Sequence, residues 1–408
     1  MIDVYGIRYR DGGFTLDPDR PEDAHQYFGR PDKKTSIDSL FSTATLFNTN
    51  PHTLIWGGSY SGKTHTLAYI KFLVQQTHGY KEDDIIELTV GAGIKNEFVK
   101  FHAQIMDGIT QDTFAKTIRK FIRELEHPSD ESAPPKIPEE AEQKQIKKAI
   151  VDEGLDTNLA TAVLWFYSHR YDPPEQLRKV WRWLCGRETT TGERAEIGVE
   201  RDTKKDSDMA MAILSGYFTM HNVAHRGKKK TILLFDEMNN LTSVKDEIFF
   251  NCLRELTRKD NLTIVLAFSS TSLKKLQNIV NEHVLSRFPP DSQINLPVLD
   301  DSEQQSEITD FIKELISYHR DKSIDLSACI EKNKHIAEAD SETLTEEFFP
   351  FTNELIKKMG AFIDQMNEPK RNRYPGSIME ALNEIVARSF RKDPNTIIFT
   401  KAKILPDI

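Results

Sequence analysis

The stretch His52–Thr64 reads HTLIWGGSYSGKT, and it decides the fold class of the chain. Its first part, HTLIW, is a compact β-prone run that predicts a strand. Two glycines end this run, and Gly57–Thr64 matches the pattern GxxxxGK[ST]. After Lys63 the apolar residues recur at helical spacing as far as Gly79. A strand, a glycine-rich turn and a helix therefore follow one another in the order that this pattern requires.

The segment predicts a loop that binds the phosphates of a nucleotide. Glycines let backbone N–H groups turn inward around the β-phosphate, and the following helix presents its positive end there. Lys63 is expected to reach the β- and γ-phosphates, and the hydroxyl of Thr64 to complete the shell of a bound Mg²⁺. The alternative is a chance glycine-rich turn, which the flanking strand and helix argue against. The predicted nucleotide-binding residues are Gly57, Gly58, Ser59, Tyr60, Ser61, Gly62, Lys63, Thr64 and His65.

A second motif lies far along the chain, where Ile232–Phe235 (ILLF) is followed by Asp236 and Glu237. The apolar run predicts a buried strand, and open α/β sheets bind ligands beyond the carboxyl ends of such strands. Asp236 is expected to hold Mg²⁺ through water, and Glu237 to orient and deprotonate the attacking water. The alternative is a strand that ends in a solvated turn. The presence of a phosphate loop in the same chain favours the catalytic interpretation.

The spacing of the two motifs predicts an insertion. Lys63 and Asp236 are 173 positions apart (236 − 63), far more than one β-α-β unit requires. Residues of about 110–226 are therefore expected to form a helical insertion between strands. Strands that alternate with helices predict an α/β fold with a parallel sheet, and the helical pattern after Asp301 predicts a smaller second domain.

Two further side chains are candidates for nucleotide chemistry. Ser270 follows the predicted strand Leu262–Phe268, where a polar side chain could sense the γ-phosphate or the attacking water. The alternative for Ser270 is capping of the next helix. Arg287 precedes two prolines that stop a helix, and a fixed, exposed guanidinium there suits an arginine finger entering a neighbour's site. The alternative for Arg287 is an ordinary surface ion pair.

Composition and charge narrow the class of protein. A net charge of −9 and a pI of about 5.8 do not favour a compact, sequence-independent DNA binder, which is normally basic. No apolar run approaches the roughly 20 residues that cross a bilayer, and the N-terminus shows no secretory signal. Three widely spaced cysteines predict reduced thiols, without a disulfide framework or a cysteine zinc site. We therefore expect a cytoplasmic protein without membrane contact.

This set of motifs resembles the AAA+ ATPases, and within them the origin-recognition (initiator) group, over residues of about 27–390. Four segments are similar to that group's lead-in, adenine-contacting segment, finger motif and sensor-2 helix start: Asn50-Pro51, Phe28-Gly29-Arg30, Ser286-Arg287-Phe288 and Pro375-Gly376-Ser377. Within the insertion, Trp183–Gly186 and Glu196–Val199 are similar to origin-recognition-like ATPases of prokaryotic phage-defence systems, such as the BREX type.

The sequence departs from this family in three places. The phosphate loop reads GGSYSGKT where the family favours GxPGTGKT. Met379 occupies the position of the sensor-2 arginine, for which Arg373 and Arg388 are the candidate substitutes. A lid that ends near residue 396 leaves only a short tail, so the winged-helix DNA-binding domain of initiators is not expected.

The resemblance implies an AAA+ P-loop NTPase with a central parallel sheet, a large helical insertion and a C-terminal helical lid. We expect an N-terminal lead-in (1–29), a nucleotide-binding base (30–300), a lid (301–396) and a short tail (397–408). ATP and Mg²⁺ are the expected cofactors. The predicted catalytic residues are Glu237, Lys63, Arg287 and Ser270, and the predicted metal ligands are Thr64 and Asp236.

The resemblance also implies a function within an assembly. A homo-oligomeric motor or switch, with Arg287 acting in trans, would work on DNA or a DNA-bound partner, in keeping with phage defence. The alternative is an ATP-gated adaptor that recruits a nuclease, a transposase or another effector protein and uses hydrolysis only to reset. A signalling NTPase would predict a C-terminal sensor-repeat region, which the sequence does not show. Lys370–Arg373 (KRNR) is a candidate contact for nucleic acid or phosphate.

Overall fold

The structure is a computed structural model of the 408-residue chain. It describes residues 3–4, 7–8, 13–28, 30–42, 46, 51–91, 98–127, 138–241, 247–277, 280, 282–302, 305–365, 373–392 and 398–400. Some predicted features lie outside the described residues: Gly29, Asn50, Lys370–Asn372 and the tail after residue 400.

Five of the described strands form one all-parallel sheet, in the order β4-β5-β6-β3-β7. Two antiparallel pairs, β1 with β2 and β8 with β9, lie outside it. The α/β fold with a central parallel sheet, predicted from the sequence, is confirmed. The strands are β1 (Asp3–Val4), β2 (Ile7–Arg8), β3 (Thr53–Gly57), β4 (Ile85–Thr89), β5 (Thr231–Asp236), β6 (Leu262–Ser269), β7 (Gln293–Leu296), β8 (Asp301–Ser302) and β9 (Gln305–Ser306).

Strands β5 and β6 are the most deeply buried of the sheet. Every residue of β5 is buried, and so is every residue of β6 except Ser269. Leu233 of β5 pairs with Ile86 of β4 on one side and with Ile264 of β6 on the other. Helices usually cover both faces of a parallel sheet, which is why its inner strands carry apolar residues at successive positions.

Helices make up most of the remaining described chain, and none of those described is long and apolar enough to cross a membrane. The α-helices are Pro21–Ala24, Pro31–Leu40, Lys63–His78, Phe98–Ile109, Gln111–Glu126, Glu140–Asp152, Thr157–Ser168, Pro174–Leu184, Thr191–Ile197, Ser207–Ala224, Glu247–Leu256, Leu273–Gln277, Glu282–Leu285, Glu307–His319, Leu326–Ala339, Asn353–Lys357, Met359–Gln365 and Pro375–Lys392. Short 3-10 turns are Glu82–Asp84, Thr203–Lys205, Met238–Leu241 and Pro290–Ser292.

The described chain between β4 and β5 consists of helices packed through aromatic side chains. Phe101 stacks on Phe235 of β5, with ring centroids 5.1 Å apart, so the first of these helices packs directly on the sheet. Further along, Phe114 stacks on Tyr217 at 5.7 Å. The buried indole of Trp183 donates from Nε1 to the carbonyl oxygen of Arg201 at 2.8 Å. These contacts give the helical segment an apolar core of its own.

The chain divides into two compact units. The first comprises residues 1–38, 56–72 and 295–408, and the second comprises residues 39–55 and 73–294. The phosphate-loop segment therefore belongs to the same unit as the C-terminal helices, whereas Asp236 and Glu237 belong to the second unit. Side chains far apart in sequence form the core of the first unit, among them Phe14, Phe311, Ile316, Phe351, Leu382 and Phe399.

Candidate functional site

The predicted phosphate loop is a tight turn between a strand and a long helix. Strand β3 ends at Gly57, and the helix Lys63–His78 begins with the motif lysine. Two residues of the turn have left-handed backbone angles, Gly62 with φ of 92° and Tyr60 with φ of 65°. Glycine adopts such angles freely, whereas a residue with a Cβ does so at a cost. The conformation of Tyr60 is therefore one that its surroundings must maintain.

Lys63 is buried although it carries a charge. Its Nζ donates a hydrogen bond of 2.8 Å to the carbonyl oxygen of Gly58, so the ammonium is folded back onto the turn. The buried hydroxyl of Ser61 has no hydrogen-bond partner among the described residues. Ser59 and Thr64 are exposed. A phosphate offers acceptors to both an ammonium and an unpaired hydroxyl, so this set of donors fits a phosphate group.

Arg30 anchors the turn within the first unit. Its Nη1 donates to the carbonyl oxygen of Ser61 at 2.9 Å, and its Nη2 donates to the carbonyl oxygen of Pro297. Burial lowers the pKa of the Arg30 guanidinium, which nevertheless stays charged at neutral pH. Sequence resemblance places Arg30 in an adenine-contacting segment. In the structure its guanidinium holds backbone carbonyls of the loop and of the chain that follows β7.

The helix Pro375–Lys392 begins directly against the phosphate loop. The N–H of Gly376 donates to the carbonyl oxygen of Tyr60 at 3.1 Å. A Cβ added at Gly376 would lie 2.9 Å from the Cβ of Tyr60, and one added at Gly58 would lie 2.3 Å from the Oη of Tyr374. Both separations are too short for real carbon atoms, so only glycine fits these two positions without a shift of the neighbours.

The position expected for a sensor-2 arginine holds Met379, which packs against the apolar core of the first unit. The two candidate substitutes are engaged elsewhere. Arg373 pairs with Asp364 at 2.5 Å, and Arg388 pairs with Glu384 at 2.7 Å. Arg388 also lies about 18 Å along the helix axis from Gly376, at 1.5 Å per residue. In this structure the start of the helix contacts the phosphate loop through Tyr374 and Gly376 instead of through an arginine.

His65, predicted among the nucleotide-binding residues, has its imidazole turned toward the segment before the first long helix. Its Nε2 bonds with the carbonyl oxygen of Gln26, and burial lowers its pKa. The next residue, Thr66, bonds through Oγ1 with the hydroxyl of Tyr27 at 3.1 Å. These contacts engage the Nε2 of His65 at the start of the helix, while its buried Nδ1 has no hydrogen-bond partner among the described residues.

The acidic pair lies where β5 ends, within the second unit. Asp236 is 6% exposed, and its carbonyl oxygen accepts from the N–H of Val90 at 3.0 Å. The N–H of Glu237 donates to the Oδ1 of Asp236 at 2.8 Å. Glu237 itself has a left-handed backbone, with φ of 54°. Asn240 fixes the following turn by donating to the carbonyl oxygens of Glu237 (2.9 Å) and Val90 (2.5 Å).

The two other predicted catalytic residues are Ser270, whose side chain is hydrogen-bonded within a turn, and Arg287, whose side chain is exposed. The hydroxyl of Ser270 is buried and donates to the carbonyl oxygen of Ser272 at 2.9 Å, so it stabilises the turn after β6. Ser272, not Ser270, bonds with the N–H of Lys275 in the next helix, at 3.2 Å. Arg287 is exposed, and among the described residues its guanidinium has no ion pair. Nearby, Phe288 is buried with its ring 6.2 Å from that of His52.

Sequence reasoning missed three contributors to these sites. The contact of Tyr374 with Gly58 joins positions that no local pattern connects. Asn240 escaped attention because an asparagine after Asp-Glu is an ordinary turn residue. The left-handed angle at Glu237 has no signal in the sequence, since a glutamate does not favour it.

Two comparisons with known proteins found no match. No protein-family model matches the chain, and no curated protein matches its sequence.

Proposed function

We propose that this chain is an ATPase of the AAA+ type, which binds ATP with Mg²⁺ and hydrolyses it. The observation that carries the proposal is the turn Gly57–Thr64, where a buried lysine, a hydroxyl without a partner among the described residues and a helix N-terminus meet. Glycine-rich turns that lead into a helix bind phosphate through backbone N–H groups and the helix dipole.

Each polar group of the loop has a proposed task. Lys63 exchanges its bond with the Gly58 carbonyl for oxygens of the β- and γ-phosphates, and the Thr64 hydroxyl ligates Mg²⁺. Ser61 gains an acceptor for its buried hydroxyl. Thr64 and Asp236 would hold Mg²⁺, which would supply positive charge against the charge that develops on the phosphates. Because Arg30 and Gly376 hold the turn through its backbone, the loop needs little reorganisation when the nucleotide binds.

Asp236 is proposed to hold Mg²⁺ through water, and Glu237 is proposed to orient and deprotonate the attacking water. Their support is their position at the carboxyl end of β5, a buried strand of a parallel sheet. Ligands of such sheets bind beyond the carboxyl ends of the strands. Glu237 accepts a proton as water attacks the γ-phosphorus and the bond to the β,γ-bridging oxygen breaks. ADP and inorganic phosphate leave, and Glu237 returns its proton to solvent.

Arg287 is proposed to complete the site of a neighbouring subunit in a homo-oligomer. Its support is an exposed guanidinium without an ion pair among the described residues, on a turn fixed by the buried ring of Phe288. An arginine that enters from a neighbour stabilises the charge of the transition state. By resemblance to origin-recognition-like ATPases of phage defence, we extend the proposal to a motor or switch that acts on DNA or a DNA-bound partner.

The decisive experiment compares ATP binding and phosphate release in the wild-type chain, Lys63→Ala and Glu237→Gln. Lys63→Ala should weaken the binding of a fluorescent ATP analogue by about a hundredfold, since it removes charge-assisted bonds of about 1.5–3 kcal/mol each. Glu237→Gln should bind ATP normally and release no phosphate. Lys71→Ala, on the same helix and half-buried, is the matched control for loss of a lysine. A folded wild-type chain that binds no ATP in the presence of Mg²⁺ would contradict the proposal.

A further inference from the structure

A cluster of three side chains lies at the amino end of β4, within the second unit. Asp84 ends the 3-10 turn Glu82–Asp84, immediately before β4 begins. His221 lies in the last turn of the helix Ser207–Ala224, and His225 is the C-cap of that helix. Residues four apart share one face of a helix, so the two imidazoles lie side by side, with ring centroids 4.6 Å apart. The predicted nucleotide chemistry uses the carboxyl ends of the strands, so this cluster is separate from it.

The separations within the cluster fit three ligands of one ion. The Oδ1 of Asp84 is 3.2 Å from the Nε2 of His221 and 3.5 Å from the Nε2 of His225. All three potential ligand atoms lie within 4.8 Å of one another. In a tetrahedral site with ligand bonds of about 2.1 Å, neighbouring ligand atoms are roughly 3.4 Å apart. The two distances from Asp84 therefore already match the spacing of ligands around a tetrahedral ion, and the two imidazole nitrogens lie within 4.8 Å of each other.

The surroundings orient the carboxylate for this task. The Oδ2 of Asp84 accepts from the Nζ of Lys229 at 2.6 Å and from the N–H of Lys81 at 2.7 Å, which leaves Oδ1 facing the two imidazoles. Hydrogen bonds of this kind to the outer oxygen are typical of carboxylates that bind metals. The C-terminal end of the helix Ser207–Ala224 adds carbonyl dipoles that favour a cation.

The donor set also selects the kind of ion. Two imidazole nitrogens suit Zn²⁺, Co²⁺ and Ni²⁺, whereas Mg²⁺ and Ca²⁺ need shells of oxygen ligands. The charge of Lys229 offsets that of Asp84, so the imidazoles must supply much of the affinity, and an ion that prefers oxygen gains little here. The side chain of His225 is 19% exposed while those of Asp84 and His221 are 3% and 2% exposed, so His225 is the route by which an ion and a water molecule enter.

We propose that Asp84, His221 and His225 form a binding site for a transition-metal dication, with Zn²⁺ as the preferred ion and water as the fourth ligand. Such an ion would fasten the end of the helix Ser207–Ala224 to the start of β4. Without an ion, the Oδ1 of Asp84 accepts a hydrogen bond from the Nε2 of His221 and lies 3.5 Å from the Nε2 of His225. Metal binding and this hydrogen bonding are mutually exclusive, because the ligand nitrogens must give up their protons.

The experiment uses the full chain, stripped of metal with EDTA and desalted. Zn²⁺ titrated against a chromophoric chelator should reveal one tight equivalent, and Zn²⁺ should raise the Tm. His225→Ala should weaken that equivalent at least about tenfold, since even the loss of a residue behind a ligand costs this much. His169→Ala is the matched control, because His169 is the C-cap of another helix of the same unit and belongs to no such cluster among the described residues.

A second measurement keeps the test independent of the variant. Co²⁺ added to the stripped wild-type chain should give the intense visible absorption of a four-coordinate ion, and Zn²⁺ should displace it. Absence of a tight Zn²⁺ equivalent, a weak six-coordinate Co²⁺ spectrum, or equal affinity in the wild type and a folded His225→Ala variant would each overturn the proposal. Any of these results would assign the cluster to hydrogen bonding alone.

Discussion

The N–H of Gly376 donates a hydrogen bond of 3.1 Å to the carbonyl oxygen of Tyr60, across 316 positions of sequence (376 − 60). This bond joins the first turn of the helix Pro375–Lys392 to a phosphate-loop residue whose backbone is left-handed. A change in the loop must therefore be accommodated by the start of that helix. If the loop binds nucleotide as proposed, this contact would let the helix Pro375–Lys392 respond to it without the arginine that Met379 replaces.

We predict that Gly376→Ala weakens ATP binding about tenfold. The new Cβ would lie 2.9 Å from the Cβ of Tyr60 and 3.2 Å from its carbonyl oxygen. Overpacking of this kind costs about 1–3 kcal/mol, and 1.4 kcal/mol corresponds to a factor of ten in affinity. Titration with a fluorescent ATP analogue measures the effect.

Gly192→Ala is the control for this change. Gly192 is likewise the second residue of a helix, Thr191–Ile197, but the nearest atom to an added Cβ is 3.9 Å away. We expect unchanged ATP affinity, with stability equal to or slightly above that of the wild type because alanine favours a helix. If Gly376→Ala bound ATP as tightly as Gly192→Ala does, the loop would not depend on the contact with the helix.

We predict that two substitutions at Glu237 differ from each other in stability. Its φ of 54° is strained for any residue with a Cβ, so Glu237→Gly should unfold at the same or a higher urea concentration than the wild type. Glu237→Ala keeps the strain and should be about 1 kcal/mol less stable than Glu237→Gly. Both should lose phosphate release. Equal stability of the two variants would show that the strain at this residue is negligible.

The parts of the fold that were predictable are those in which local pattern and packing agree. The apolar runs of β5 and β6 predicted buried strands, because both faces of these strands are covered. The tight turn between β3 and the helix Lys63–His78 was predictable, because the pattern GxxxxGK[ST] is typical of a strand–turn–helix unit. Strand β7 was not predicted, since Gln293–Leu296 is short and alternates half-buried with buried residues.

The remaining features depend on contacts between distant positions. The neighbour that excludes a side chain at Gly58 is Tyr374, which only the folded chain brings there. In the same way, Asp84 meets His221 across 137 positions, and no motif links them.

The role of Ser270 could not be predicted for a different reason. Its residue type suits both sensing and turn formation, and the structure shows its hydroxyl bonded to Ser272, while its predicted role toward nucleotide stays a prediction.

We predict that His52 makes the fold less stable as the pH falls from 6.5 toward 4. The N–H of Ile264 donates to its Nδ1 at 3.1 Å, and its Nε2 donates to the carbonyl oxygen of Thr257 at 2.8 Å, an arrangement that only the neutral imidazole allows. Burial, together with the charges of Lys230 and Arg287, lowers the pKa of His52 from 6.5 to about 4.

Stability falls at low pH because the unfolded state binds the proton more readily than the folded state does. Below pH 6.5 the unfolded chain takes up a proton at His52 that the folded chain takes up only near pH 4, so stability is full above 6.5 and falls by up to about 3 kcal/mol. Urea unfolding at pH 7 and pH 5 measures the loss. His52→Asn should lose less between these pH values than the wild type, and His335→Asn, at an exposed position, should behave like the wild type. His102, whose pKa burial lowers to about 3, should leave a residual loss of the same sign in every variant.

The exposed guanidinium of Arg287 has no ion pair among the described residues. Arg287→Ala should therefore change the free energy of unfolding by less than about 0.5 kcal/mol, as expected for a surface residue. If Arg287 serves a neighbouring site, its removal should lower phosphate release about a thousandfold at concentrations where the wild type is assembled. Arg258→Ala, which removes an exposed arginine paired with Glu255, is the control and should keep full activity.

Mixing variants separates action in trans from action within one subunit. Arg287→Ala subunits keep an intact acidic pair, and Glu237→Gln subunits keep an intact arginine, so neither should hydrolyse ATP alone. In a mixture, some Arg287→Ala sites would receive the arginine of a Glu237→Gln neighbour, and phosphate release should reappear. The recovered rate should rise with total protein concentration and vanish on dilution, because each competent site needs two subunits. A mixture as inactive as its components would mean that Arg287 acts within its own subunit.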